Sequence, residues 1–479
     1  MSLLRTLARN LASMSVMRLG SALIAFLLFW FLARGGDAAF LGAYAFLLGV
    51  FAFLQQLPLL GLHLAVVRDA ATDSESTPTI VANLGMLGFL AALLLGGLCA
   101  TVGLVYYPAE MHMAFLLVGC AMLPTAWVNL SEAILVGRQE MGAVAGVNLV
   151  EATWRAVASA IAFGFGAGLT ALFVVFLAGR AGAALYYYWF SPQVPRWQAR
   201  LLDWPRLRSE LAGCPVFFGI MVLSAAISRF DVFFLSRFGS LADVGVYAVA
   251  AKIYEAALMA PSVIAAVLYP AFSRAADHER PAMHAMLGMA VYWVFLLALP
   301  CAVGVALLAQ PLIAGVFGTP YAAAAPALQV LMGALVLVAL NQILTLALLA
   351  CHEQRSDLNS LLAALAAIVF LLALLIPVWG MLGAAWAVFG AMLVQLVMRY
   401  VYLRLRVHAA PGFRALWRPG LAGLSMLTVG LFLEMQPRLV VLVCAFIAYG
   451  LTLFFVGGVR SDALRMAAGL LRAKGGAAP

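Results

Sequence analysis

Fourteen apolar stretches follow one another along this chain, separated only by short polar breaks. A helix that spans the hydrocarbon core of a bilayer needs about 20 consecutive apolar residues, and most of these stretches reach that length. Hydrophobic residues make up 66% of the chain and charged residues 10%, whereas a soluble domain carries about 45–50% and about 25%. No soluble core could bury this much apolar surface, so lipid must cover part of it. The expected fold is all-α, a polytopic membrane protein of about fourteen transmembrane helices.

The spans are expected at 11–33, 39–67, 79–105, 112–136, 142–164, 167–190 and 212–237. The remaining seven are expected at 242–270, 284–308, 323–350, 358–377, 379–403, 417–434 and 439–457. Breaks fall at Gly35-Gly36-Asp37, Asp69 to Thr77, Arg138-Gln139-Glu140 and Ser191 to Arg208. Later ones fall at Asp277-His278-Glu279-Arg280, Gly318-Thr319-Pro320 and His352 to Asp357. Arg18 interrupts the first run and no small-residue cleavage site follows it, so the first helix reads as a retained signal anchor.

The net charge of +9 is built from 26 Arg and 2 Lys against 19 acids. Scattered through short loops, it is an orientation signal rather than a nucleic-acid face. With the N-terminus inside, the cytoplasmic segments hold 19 basic residues, and the opposite side holds only Arg34, Arg237 and Arg438. The alternation stays clean to the C-terminus, so both termini are expected in the cytoplasm. The six cysteines, Cys99, Cys120, Cys214, Cys301, Cys351 and Cys444, stand singly in or beside apolar runs and read as packing residues. No H-E-x-x-H, P-loop or G-x-S-x-G occurs, so nothing calls for a metal, a cofactor or a catalytic nucleophile. The external loops are short, which argues against a glycan polymerase or ligase working on a long external loop.

An internal repeat organises the chain. Residues 31–46 and 234–249, 203 positions apart, are identical at eight of sixteen positions: Phe31/Phe234, Leu32/Leu235, Arg34/Arg237, Gly36/Gly239, Ala39/Ala242, Gly42/Gly245, Tyr44/Tyr247 and Ala45/Ala248. The offset is six spans, an even number, so the copies keep one orientation, as in parallel-repeat transporters. The expected domains are an N-lobe of helices 1–6 (1–190), a cytoplasmic linker (191–211), a C-lobe of helices 7–12 (212–405), and helices 13–14 with a tail (406–479). Gly42 and Gly245 each precede a Tyr by two residues, where the missing side chain would let the hairpin pack tightly.

At these residues the chain resembles the polysaccharide transporter family (O-antigen flippase, Wzx-type) of the multidrug/oligosaccharidyl-lipid/polysaccharide exporter superfamily. The resemblance rests on Phe40-Leu41-Gly42-Ala43-Tyr44, Asp231-Val232-Phe233-Phe234-Leu235, Val244-Gly245-Val246-Tyr247, Lys252 and Leu268-Tyr269-Pro270-Ala271-Phe272-Ser273-Arg274. It implies a flippase rather than an enzyme. The implied substrate is an undecaprenyl-pyrophosphate-linked oligosaccharide (an O-antigen, capsule or exopolysaccharide repeat unit), carried across a bacterial inner membrane by alternating access. The implied partners are that glycan lipid, the bilayer, a polysaccharide polymerase and chain-length proteins, with no nucleic acid. Two relatives remain as alternatives. Cation-coupled multidrug exporters usually have twelve helices and a carboxylate in the first, where this chain has Arg18. Lipid II flippases share fourteen helices and a basic first helix, but their arginine-rich second segment is not evident between Leu41 and Val67.

An ionisable side chain at bilayer depth costs about 2.5–3.5 kcal/mol on insertion scales, so it needs a partner or a wet cavity. Asn148, Glu151 and Arg155 share one helical face by their spacing. Arg180 is flanked by small residues, Ser224, Ser228 and Asp231 form a stripe beside Arg229, and Lys252 and Glu255 sit near mid-depth. Arg18, Arg155, Arg180, Arg229 and Lys252 outnumber Glu151, Asp231 and Glu255. That excess suggests a cationic central cavity for a pyrophosphate, which arginine grips through paired, charge-assisted hydrogen bonds. The three carboxylates are the candidates for proton or cation coupling. Structural readings stand beside these: Glu151–Arg155 and Lys252–Glu255 as intrahelical ion pairs, Arg18 and Arg399 as snorkelling residues, Glu132 and His63 as structural groups near helix ends, and Asn341-Gln342 as a helix–helix contact.

Overall fold

The computed structural model describes residues 2–457 apart from 60, 73–76, 214, 262–264, 266–267, 269–271, 273–279, 409–410, 413–415 and 434–435. For 2–16, 18, 64, 209–210, 212–213 and 280–282 it describes the backbone alone. Cys214, the break at Asp277–Glu279, most of the Leu268–Arg274 motif and the basic tail beyond 457 lie outside the described residues.

Every regular element among the described residues is helical, as lipid requires: only a helix or a closed barrel satisfies its own backbone there. Among the described residues seven helices are each long and apolar enough to cross a membrane, and the bent pair Pro215–Ile227 and Phe230–Phe238 meets the same test when taken together. Shorter apolar helices supply others, and the chain is a polytopic membrane protein.

The chain divides into two compact units, Met1–Ala248 and Val249–Pro479. The first holds α1 (Ser2–Gly35), α2 (Ala38–Leu54), α3 (His63–Thr72), α4 (Thr77–Tyr106), α5 (Ala109–Gly137), α6 (Met141–Gly164) and α7 (Leu169–Phe190). It continues with α8 (Trp204–Gly213), α9 (Pro215–Ile227), α10 (Phe230–Phe238) and the start of α11 (Leu241–Ala257). The second unit holds α12 (Arg280–Leu307), α13 (Ala309–Val316), α14 (Ala325–Ala350), α15 (Gln354–Tyr402), α16 (Trp417–Phe432) and α17 (Arg438–Phe455).

Two expected spans are broken. The run 39–67 ends as a helix at Leu54, because Pro58 cannot donate to the Leu54 carbonyl and Gly61 turns the chain at φ +80°. The run 212–237 bends by 45° between α9 and α10, with Ser228 and Arg229 at the break. The eleventh and twelfth spans form the two arms of α15, folded at Gly380, whose φ of 53° and ψ of −129° suit only glycine readily. The last two spans, α16 and α17, pack on α12 in the second unit through Leu296, Ala422, Met426, Ala445 and Tyr449. The buried Tyr449 hydroxyl donates to the Leu296 carbonyl at 2.7 Å.

The repeated glycines pack against each other rather than each within its own hairpin. A Cβ added at Gly42 would overlap the Leu241 carbonyl, and one at Gly245 would overlap the Ala38 carbonyl. Ala38 and Leu241 are themselves repeat partners, so the contact is reciprocal and the backbones of α2 and α11 touch where they cross. Gly97, in contrast, has open space around its Cα. Overpacking a tight contact costs about 1–3 kcal/mol or more. Gly42→Ala and Gly245→Ala should each lower the thermal midpoint of the purified protein by several degrees, while Gly97→Ala leaves it in place. An unchanged midpoint for both crossing variants would show that the helices separate without cost.

Candidate functional site

The first unit gathers its charges around Glu151 and Arg180. Glu151 is residue 11 of the 24 in α6 and Arg180 residue 12 of the 22 in α7, so both lie near mid-helix and, in a bilayer, near mid-depth. Arg180 Nε stands 3.1 Å from Glu151 Oε1, and the side chains are only 14% and 8% exposed. This Nε makes no aligned hydrogen bond, so the contact is an ion pair held by charge and proximity. Small residues flank Arg180, and Gly179 lets the Glu151 stem and the Trp154 ring approach α7. A third helix contributes through its break: Gln55, just past the end of α2, turns its side-chain oxygen to within 3.5 Å of an Arg180 Nη. The Gln55 backbone carbonyl accepts from Asn129 at 2.9 Å.

Glu132 extends the cluster toward the end of α5. It accepts a 2.7 Å hydrogen bond from the Asn148 amide, and the buried Tyr187 hydroxyl, with no other partner, faces it. Arg155 behaves differently. Its guanidinium lies 5.7 Å from the centre of the Phe176 ring, while Arg180 lies 5.4 Å from the Phe51 ring. Phe51 and Phe176 meet edge to face at 4.6 Å, so two guanidiniums flank one aromatic pair. Among the described residues Arg155 forms no ion pair. Glu151 is therefore the partner of Arg180, reached across helices, and not of Arg155 on its own helix.

The other expected residues fall elsewhere. Arg229 occupies the break between α9 and α10, with its side chain beside Gly49 of α2. Asp231, in the first turn of α10, accepts from the buried Tyr247 hydroxyl at 2.7 Å. The side chain of Arg18 lies outside the described residues. In the second unit Lys252 and Glu255 form the intrahelical ion pair, at 3.3 Å.

Arg399 does not snorkel. It is 5% exposed, bonded to Asp357 at 2.9 Å and to the Asn341 side-chain oxygen at 3.1 Å. The Asn341 amide in turn donates to the Met392 carbonyl at 2.9 Å. Asp357 and Arg399 stand on opposite arms of α15, so the fold at Gly380 makes the pair; separation along the sequence hid it. Glu132 and Gln55 were visible as polar residues, but no spacing rule tied them to Arg180, because each arrives from a different helix.

Residues 31–326 match the family described as polysaccharide biosynthesis protein. The chain belongs to that family. No curated protein matches it in sequence. Among solved structures it is similar to the lipid II flippase MurJ in an inward closed conformation, with a TM-score of 0.77 at 13% identity over 93% of this chain and 99% of that one. It is also similar to an inward-facing multidrug resistance MATE transporter of the MOP superfamily, with a TM-score of 0.65 at 14% identity over 81% and 94%. A MOP superfamily transporter from Pyrococcus furiosus, for which a reversed polarity of the binding pocket suggests a different function, gives 0.55 at 15% over 83% and 93%. At these identities the likeness shows the fold, which is that of the MurJ and MATE transporters.

The Asp357–Arg399–Asn341 clamp has every charge answered and no open side, the form expected of a structural group. Removing one partner of a buried pair costs about 3–5 kcal/mol, whereas replacing both by apolar residues is often neutral. Asp357→Leu should therefore sharply reduce the yield and thermal midpoint of folded protein, and Asp357→Leu with Arg399→Met should restore most of both. A double variant as unstable as the single one would show that the clamp contributes more than charge balance.

Proposed function

We propose that the chain is a flippase for an undecaprenyl-pyrophosphate-linked oligosaccharide, working by alternating access through a cationic cavity in a bacterial inner membrane. Both termini lie in the cytoplasm on this reading, and a polysaccharide polymerase with its chain-length proteins takes the product. The chain performs no catalysis. Family membership and the resemblance to a lipid II flippase support a lipid-linked glycan as the cargo class.

The single observation that carries the reading is Arg155. Glu132 joins Glu151 near Arg155 and Arg180, so the cluster is close to balanced overall. Within it Arg180 is matched by Glu151, while Arg155 is a half-buried cation with an aromatic ring beneath it and, among the described residues, no ion pair. A cation held that way in low dielectric favours an incoming anion, and a guanidinium fits a phosphate by two parallel hydrogen bonds. Arg18, Arg229 and Lys252 are the further proposed contacts along the path. A drug exporter coupled to cations would instead present an unmatched carboxylate.

Arg155→Ala should abolish surface-glycan display in a flippase-null strain while the protein still accumulates in the membrane. One charge-assisted hydrogen bond is worth about 1.5–3 kcal/mol, so substrate binding should weaken about 10- to 100-fold. Full display at normal protein level would remove Arg155 from the substrate path.

Coupling falls first to Glu151, with Asp231 and Glu255 as the other proposed groups. When the cavity reorients, breaking the Glu151–Arg180 pair would leave a desolvated carboxylate that takes up a proton, and re-forming the pair would release it. Glu151→Gln should keep substrate binding and lose the response of transport to a pH gradient in proteoliposomes. A normal gradient response in that variant would leave Glu151 as a structural partner of Arg180.

A further inference from the structure

The segment between α7 and α9 carries side chains that moving a glycan through the protein does not use. It leaves α7 at Phe190 and folds back onto the start of α4. Trp197 Nε1 donates to the Ala82 carbonyl at 3.0 Å, and its ring packs against Gly85. The Asp203 backbone N–H donates to Asn83 Oδ1 at 2.9 Å, and Asn83 Nδ2 donates to the Asp203 carbonyl at 3.1 Å. The Asp203 carboxylate then caps α8, accepting from the Arg206 backbone N–H at 3.0 Å. Leu207 and Leu211, one turn apart, face the core of the first unit, while Trp204 and Arg208, also one turn apart, stay exposed.

These contacts set the depth of the segment. Asn83 lies six residues into α4, about 9 Å from its end at 1.5 Å per residue. That is the level at which a spanning helix passes from hydrocarbon to headgroups. On the outer side of the segment Arg196, Arg200 and Arg208 are exposed, together with Trp197 and Trp204. The Arg196 guanidinium rests 5.0 Å above the ring of Trp189, itself exposed.

We propose that this segment is a binding surface for the anionic phospholipid headgroups of the leaflet it faces. Exposed tryptophans at interface depth settle among headgroups. The arginines between them offer planar donors to phosphate; of the segment's two carboxylates Asp203 is occupied as a cap, and the Glu210 side chain lies outside the described residues. Its attachment to α4 fixes the backbone of the segment before binding, which lowers the ordering cost to that of the side chains. None of its arginines belongs to the Glu151–Arg180 cluster, so the proposal does not depend on which glycan is carried.

The test is titration of the purified full chain with phosphatidylglycerol, phosphatidylcholine and undecaprenyl pyrophosphate, read by native mass spectrometry. Wild type should prefer phosphatidylglycerol to phosphatidylcholine, with the preference fading as salt is raised. The combined Arg196→Gln, Arg200→Gln, Arg208→Gln variant should bind phosphatidylglycerol about 100-fold more weakly, with binding of undecaprenyl pyrophosphate unchanged. If that variant fails to fold, Arg208→Gln alone should weaken binding about fivefold, and Arg208→Lys should keep most of it. Equal phosphatidylglycerol binding by wild type and variant overturns the proposal, as does the absence of a preference in wild type. Loss of undecaprenyl pyrophosphate binding with phosphatidylglycerol binding retained overturns it too, and assigns the surface to the substrate.

Discussion

Moving a charge from water into hydrocarbon costs several kcal/mol unless a partner travels with it, and this chain departs from regular helix where such partners are assembled. The break after Leu54 frees Gln55 to meet Arg180 and Asn129. The break after Ile227 places Asp231 in the first turn of α10, where the helix dipole favours an anion and the Tyr247 hydroxyl donates to it. The fold at Gly380 returns Arg399 to Asp357. Each irregularity gives up backbone hydrogen bonds, and each is offset by a side-chain contact that a straight helix could not reach.

The polar groups therefore separate into two kinds. Asp357, Arg399 and Asn341 answer one another completely and are buried on all sides, a closed arrangement suited to holding helices together. The group around Glu151 is open. Arg180 pairs with Glu151 and meets Gln55, Glu132 accepts from Asn148, and Arg155, which forms no ion pair among the described residues, lies over the face of Phe176. On the proposed function, such an open group at mid-helix is where an anionic cargo would bind, whereas the closed clamp would serve structure alone.

The crossing of α2 and α11 adds a geometric constraint. Gly42 and Gly245 let two backbones touch at positions related by the internal repeat. Any side chain at either position would force the helices apart, so the glycines serve the contact between repeat partners. The same absence of a side chain that makes the crossing tight also leaves it without interlocking groups, so a crossing of this kind can part without disentangling side chains.

The sequence by itself determined the class of the protein: the length and number of its apolar runs, the arginine asymmetry of its loops, and the repeat that pairs residue 31 with residue 234. Those properties are read along the chain, and the physics behind them, helix length against bilayer thickness and charge against membrane side, is local. It also marked which residues are costly at depth, among them Glu151, Arg155, Arg180, Asp231 and Arg399. Only the tertiary structure decided who partners whom. Spacing on one helix suggested Glu151 with Arg155, but a guanidinium on α7 lies closer to that carboxylate. Arg399 near a helix end suggested snorkelling, but a bend 19 residues earlier, at Gly380, returns an aspartate to it. Burial on a neighbouring helix and the direction of a bend depend on packing among segments far apart in the chain, and the energy of an ion pair falls so steeply with distance and solvent that those few ångströms set its partner.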